Sequence, residues 1–332
     1  MKPGPLILTA GIVVALGFRP LEGWIEEQRR TSRLASLGST PALPAASNPA
    51  YAAGVTDLLF RGGGTGIRVG IQAGHWRQDE LPAELARLRG STGAAGGGYT
   101  EAEVNLATAR ELEALLVSAG IQVDLLPSTV PPGYLADALI SIHADGAARP
   151  GARGWKVAAP WRASEASLAL ERAVSESYAL LSGLPEDRYG VTYGMKGYYA
   201  FSPHRVRHAI SPFTPAVIVE TGFLTMAADR AVIVDRPQQV ARALAAGILR
   251  YLAERDPLDR AALVSASYPA MQVRTASATL RMRPGEAEPV AAVLEEGTLV
   301  LPLQVRQGWV EVMVRGSYRI FGWLPAEQLG TT

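Results

Sequence analysis

Short apolar runs alternate with longer amphipathic segments over most of the chain, and this alternation is the strongest constraint on its fold. The apolar runs are too short for helices and lie at 67–71, 121–126, 139–142 and 216–219. Helical periodicity separates them, at 100–119, at 164–182 and again from Pro237 to Leu252. Strands that alternate with helices predict an α/β domain, which we place at 58–256.

The pattern changes after residue 256. Short β-rich segments then follow one another, for example 278–283 and 309–314, with turns at 283–285 and 307–308. This spacing is typical of a small antiparallel barrel of about 60 residues. A chain of 332 residues also exceeds the usual size of one domain. We therefore expect a second, all-β domain at 257–332.

The N-terminus has the features of an export segment. Lys2 precedes a mostly apolar, uncharged stretch at 5–18, which is shorter than the about 20 residues of a membrane span. We expect 1–24 to be a signal peptide or a membrane anchor, followed by a stalk and an Ala/Pro-rich linker over 25–57. The expected location is the cell wall, the periplasm or the outer face of the membrane. A buried helix of a cytosolic protein is the alternative.

Composition excludes several functions. The chain has no cysteine, so disulfides, thiolate zinc sites and a cysteine nucleophile are excluded. The net charge is +1 and no basic block occurs, which argues against a nucleic-acid partner. The expected membrane contact is limited to the N-terminal anchor. Any zinc must be held by His, Glu or Asp, and only four histidines are present.

Three polar residues follow predicted strands at the point where each strand ends. His75 comes shortly after the first strand. His143 directly follows the apolar run at 139–142, and Glu220 directly follows the apolar run at 216–219. The carboxyl ends of neighbouring parallel strands meet at one edge of a sheet, where ligands bind. We therefore expect these side chains to converge.

A fourth candidate lies at the start of the first predicted helix. Thr100 and Glu103 have the spacing of a capping box, which gives Glu103 a structural role and leaves Glu101 free to project from the helix. Alternatively, Glu101 only interacts with the helix dipole. Together, His75, Glu101 and His143 form a His₂Glu set, which is typical of catalytic zinc. Glu220 would then act as the proton shuttle for an activated water.

These residues lie in motifs that resemble zinc-dependent N-acetylmuramoyl-L-alanine amidases of the Amidase_3 type. The matching elements are Gly74-His75, Glu101-x-x-x-Asn105-Leu106-Ala107, the Ser-Ile-His-Ala-Asp of 141–145 and the stretch 215–224, which cover roughly 67–254. The resemblance implies a mixed, largely parallel sheet flanked by helices. It maps His75, Glu101 and His143 to zinc ligands and Glu220 to the catalytic glutamate. The implied substrate is peptidoglycan, cut between N-acetylmuramic acid and L-alanine.

The C-terminal residues resemble a bacterial SH3-like module, a type that often binds wall peptides. The similarity rests on 280–285, Gly308-Trp309 and 322–324.

The chain departs from the amidase pattern in several places, of which two bear on the site. Gln72-Ala73-Gly74-His75 stands where the family usually has Asp-Pro-Gly-His, so an acid that could orient the histidine is missing. The stretch 76–98 is longer than usual and ends in glycines, which predicts a flap. Two alternative functions stay open: a non-catalytic wall-binding or regulatory protein on the same fold, and a zinc peptidase of the stem peptide.

Overall fold

The computed structural model describes residues 66–317 and 319–332. The predicted leader or anchor at 1–24, the stalk and linker at 25–57, and the predicted start of the α/β domain lie outside the described residues. Within the described ranges, no helix has both the length and the apolar character needed to cross a membrane.

One five-stranded sheet organises the first part of the described chain. The strands before residue 224 are β1 (Arg68–Ala73), β2 (Ala95–Gly96), β3 (Tyr99–Thr100), β4 (Gln122–Leu126), β5 (Ala138–Asp145), β6 (Lys156–Ala158) and β7 (Ala216–Phe223). The sheet order is β4-β1-β5-β7-β6, and β2 pairs separately with β3 as a short hairpin. The first four strands of the sheet are parallel, whereas β6 runs antiparallel to β7. The predicted mixed, largely parallel sheet is confirmed, and β6 is a strand that the sequence pattern did not reveal.

Helices cover this sheet. Over the described residues they are α1 (Glu101–Ser118), α2 (Glu165–Leu181), α3 (Tyr193–Lys196), α4 (Ala227–Ile233) and α5 (Pro237–Glu254), with 3-10 turns at Gln78–Glu80, Ala83–Leu88, Tyr199–Phe201, Ala261–Leu263 and Ala326–Gln328. Ser164 caps α2, and Pro237 occupies the first turn of α5, where its missing N–H costs no hydrogen bond. The three long predicted helices are therefore confirmed, with ends close to those expected.

The hydrophobic core lies between the sheet and the long helices. Strand β5 is central and buried over its first seven residues, which explains its nearly continuous apolar sequence. Leu112 and Leu116 of α1, Leu170 of α2 and Leu244 of α5 are fully buried in the same cluster. Each such leucine contributes about 2 kcal/mol of transfer free energy. This packing fixes the carboxyl edge of the sheet, where β1, β5 and β7 end.

The C-terminal part is all β. Its strands are β8 (Met271–Val273), β9 (Ser277–Arg281), β10 (Val290–Glu295), β11 (Leu299–Arg306), β12 (Trp309–Val314), β13 (Phe321–Pro325) and β14 (Leu329–Thr331). They form one antiparallel sheet in the order β10-β9-β13-β12-β11-β8-β14 around a core that includes Leu280, Val300 and Val312. The β11–β12 turn passes through the left-handed residues Gln307 and Gly308. The predicted all-β architecture of the C-terminal part and the predicted turn at 307–308 are confirmed.

The β-rich part packs against the α/β part through a buried ion pair. Lys196 Nζ at the end of α3 lies 2.6 Å from both carboxylate oxygens of Glu311 on β12, and both side chains are buried. The rings of Trp161 and Phe321 pack edge to face beside it, with centroids 5.0 Å apart.

Candidate metal centre

His75 follows the turn at the end of β1. The Gly74 amide donates to the Ile142 carbonyl over 2.9 Å, so this turn is tied to β5. A Cβ at position 74 would lie 2.4 Å from Cε1 of His143, so a side chain there would displace the histidine ring. Glycine therefore allows the two histidines to approach each other, and their rings pack edge to face with centroids 5.2 Å apart.

Glu101 reaches the site from the first turn of α1. The Thr100 hydroxyl accepts the Glu103 amide, and the Glu103 carboxylate accepts the Thr100 amide. This confirms the predicted capping box and leaves Glu101 with its side chain buried. Its Oε1 lies 2.9 Å from Nδ1 of His143 and 3.5 Å from Nε2 of His75.

The three predicted ligands thus meet in space. One ligand atom each from His75, Glu101 and His143 lies within 4.8 Å of the others. Burial favours the neutral form of Glu101, but the hydrogen bond and charge of His143 and the hydrogen bond from the Ala94 amide outweigh it, so the pKa of Glu101 lies below its ordinary value. The carboxylate is therefore ionised at neutral pH.

The hydrogen bonding of His75 supports a cation between these groups. Nδ1 of His75 donates to the Ser91 carbonyl over 2.7 Å, and burial lowers the pKa of the ring. The neutral ring then directs its Nε2 lone pair towards the Glu101 carboxylate, which is unfavourable unless a cation lies between them. Nε2 of His143 is buried and has no hydrogen-bond partner among the described residues. The donor set and its electrostatics fit a divalent metal ion that takes nitrogen and oxygen ligands.

Glu220 lies beside this cluster. It is the Cα partner of His143 across the parallel strands β5 and β7. Burial raises the pKa of Glu220 to about 7, against the lowering effect of His143. Its Oε2 is buried and has no hydrogen-bond partner among the described residues. The two glutamates therefore differ: Glu101 stays ionised, whereas Glu220 can gain and lose a proton near neutral pH.

A cleft of about 600 Å³ opens onto these four side chains. Gly93 and Ala94 form part of its wall, and Asp145 and Thr225 form another part.

Sequence reasoning assigned no role to two groups that contact the site. The Asn105 amide donates to the Gly74 carbonyl over 3.0 Å and lies 3.3 Å from Oε1 of Glu101. The four-residue spacing between Glu101 and Asn105 places both on one helix face and could have indicated this contact. Tyr198 packs edge to face on His143 with centroids 5.4 Å apart.

Comparison with known proteins relates this geometry to a family. Residues 69–250, more than half of the chain, match the family Amidase_3, described as N-acetylmuramoyl-L-alanine amidase. The chain belongs to this amidase family. The matched range contains all four candidate site residues, from His75 to Glu220. A search of curated proteins gave no match.

Solved structures of amidases are similar to the amidase domain. N-acetylmuramoyl-L-alanine amidase AmiC2 of Nostoc punctiforme is 25% identical with a TM-score of 0.40, and the alignment covers 56% of this chain and 97% of that one. The catalytic domain of CwlV from Bacillus (Paenibacillus) polymyxa var. colistinus is 24% identical with a TM-score of 0.41, and the alignment covers 57% of this chain and 99% of that one. The amidase Ami1 from Mycobacterium smegmatis is 20% identical with a TM-score of 0.42, and the alignment covers 57% of this chain and 98% of that one.

Proposed function

We propose that this protein is a zinc-dependent hydrolase that cuts the amide bond between N-acetylmuramic acid and L-alanine in peptidoglycan. His75, Glu101 and His143 hold the zinc, and Glu220 is the catalytic acid and base. The observation that carries this proposal is the convergence of three ligand atoms within 4.8 Å beside a buried glutamate, in a chain of the amidase family.

The residues divide the chemistry between them. Zinc in such a site acidifies a water molecule and polarises the scissile carbonyl group. Glu220 accepts the proton of the attacking water and passes it to the leaving amine, a role suited to its pKa of about 7. Glu101 stays ionised and supplies the negative charge that a divalent ion needs.

We further propose that residues 257–332 form an SH3-like module that binds wall peptides, and that 1–24 directs export. The seven-stranded antiparallel sheet supports the first proposal, and the apolar stretch at 5–18 supports the second. A fusion of residues 1–57 to alkaline phosphatase tests export, because that enzyme is active only outside the cytoplasm. An inactive fusion would contradict it.

Digestion of peptidoglycan sacculi by the zinc-loaded protein tests the catalytic function. The expected products are peptides with a free L-alanine amine and muramic acid with a free lactyl carboxylate, identified by mass spectrometry. A cut within the stem peptide would favour the peptidase instead. Metal analysis that finds zinc, with no product from sacculi of several wall types, would favour a non-catalytic wall-binding protein.

A further inference from the structure

Residues 91–94 lie directly against two of the proposed metal ligands. They belong to the long segment 76–98 that the sequence predicted as a flap. Within this segment, the Gln78 side chain donates to the Leu88 carbonyl and the Arg89 side chain donates to the Leu81 carbonyl. The part of the segment that precedes residues 91–94 is therefore held by its own hydrogen bonds.

The Ser91 carbonyl takes the place of the missing acid beside His75. Gln72 stands where the amidase pattern has aspartate, but its side-chain amide donates to the Ser128 carbonyl over 2.7 Å and to the Tyr199 hydroxyl over 2.8 Å. Its side-chain oxygen accepts the Ser141 hydroxyl. The polar atoms of the Gln72 side chain are thus hydrogen-bonded to groups other than His75. The group that accepts the Nδ1 proton of His75 is the Ser91 carbonyl, 2.7 Å away.

Ala94 holds Glu101 through its backbone. The Ala94 amide donates to Oε2 of Glu101 over 2.7 Å, and the Glu101 amide donates to the Ala94 carbonyl over 2.9 Å. This pair fixes one carboxylate oxygen and leaves Oε1 turned towards His75 and His143.

Gly93 allows the backbone to come this close. Its φ is +77°, and a Cβ there would lie 2.4 Å from Oε2 of Glu101 and 2.8 Å from Cδ2 of His75. Any side chain at position 93 would therefore displace both ligands.

We propose that residues 91–94 form a backbone clasp that positions His75 and Glu101 for the metal. The inference rests on the proposed function, because it concerns the same site. The Ser91 carbonyl keeps the His75 proton on Nδ1, so that Nε2 is free to bind the ion. The Ala94 amide orients the Glu101 carboxylate. Groups that orient metal ligands in this way set metal affinity as well as activity.

The substitution Gly93→Ala tests the clasp against a matched control. Gly98→Ala lies in the same segment and also has a left-handed φ, +85°, but a Cβ there meets nothing within 4 Å. Both variants therefore carry the strain of a left-handed alanine, and only Gly93→Ala pushes on the ligands. We expect Gly93→Ala to weaken zinc binding by about 10- to 100-fold, measured by competition with a chelator. Gly98→Ala should bind zinc as the unaltered protein does.

Nitrogen NMR of the unaltered zinc-loaded protein gives a second readout that needs no variant. We expect the His75 proton on Nδ1 and slow hydrogen exchange at the Ala94 amide. Equal zinc affinity in both glycine variants, or a His75 proton on Nε2, would overturn the clasp while leaving the zinc site intact. Absence of zinc binding by the unaltered protein would instead overturn the proposed function.

Discussion

His143 and Glu220 are direct partners across the parallel strands β5 and β7. One side chain belongs to the candidate metal cluster, and the other carries a buried carboxylate oxygen without a hydrogen-bond partner among the described residues. The register of the two strands therefore sets the position of the proposed base relative to the candidate metal cluster.

Replacing Glu220 by glutamine should separate catalysis from metal binding. Glutamine has nearly the same shape but cannot take a proton from water, so turnover should fall by about 10²- to 10⁴-fold. Zinc content should stay at the level of the unaltered protein, because Glu220 is not one of the three ligands. Product release from sacculi and metal analysis check both parts. Turnover close to normal would mean that another group moves the proton.

Glu101 and Glu103 make a matched pair at the start of α1. Glu101→Ala should lose most bound zinc, since it removes the carboxylate between the two histidines. Glu103→Ala removes only half of the capping box, so zinc content should be unchanged and Tm should fall by a few degrees. Metal analysis and thermal unfolding measure these effects. Zinc loss in Glu103→Ala alone would contradict the assignment of Glu101 as the ligand.

Glu84 should make the contact between segment 76–98 and the loop at 207–208 sensitive to acid. Its carboxylate accepts the amides of Arg207 and His208 and pairs with the His208 ring, and these contacts lower its pKa from 4.5 to about 2. Because the folded pKa is the lower one, the stabilisation is complete above about pH 4.5 and is lost as the pH falls towards 2. Glu84→Gln should therefore lower Tm at pH 7, and the difference from the unaltered protein should shrink between pH 5 and pH 3. A difference that stays constant with pH would argue against this carboxylate as the tether.

The buried pair of Lys196 and Glu311 should matter most when only one partner is removed. Lys196→Met leaves the Glu311 carboxylate buried, with Gln304 at 2.7 Å as its one remaining side-chain donor among the described residues. The expected loss of unfolding free energy is about 3–5 kcal/mol. The double variant Lys196→Met with Glu311→Leu should recover much of this loss, because neither member of the pair is left without the other. Chemical denaturation of the unaltered protein, the single variant and the double variant measures the unfolding free energies. Equal losses in the single and double variants would argue against this explanation.

Local sequence determined most elements of the α/β part and the candidate site residues of this protein. Apolar runs and helical periodicity identify β1, β4, β5, β7 and the three long helices, because strands buried on both faces and amphipathic helices each require their own spacing. The strand-end positions of His75, His143 and Glu220 follow from the same pattern. The capping box of Thr100 and Glu103 identifies Glu101 as the free carboxylate, because hydrogen bonds within one helical turn depend only on neighbouring residues.

Only the tertiary structure decided how these groups are held. The short strand β6 has too few residues for a recognisable period and exists because β7 offers it a partner. The Ser91 carbonyl and the Ala94 amide belong to the backbone, which every residue has, so no residue type signals their contact with His75 and Glu101. The pairing of Lys196 with Glu311 joins positions far apart in the chain. Such contacts arise from packing in three dimensions, which local sequence does not encode.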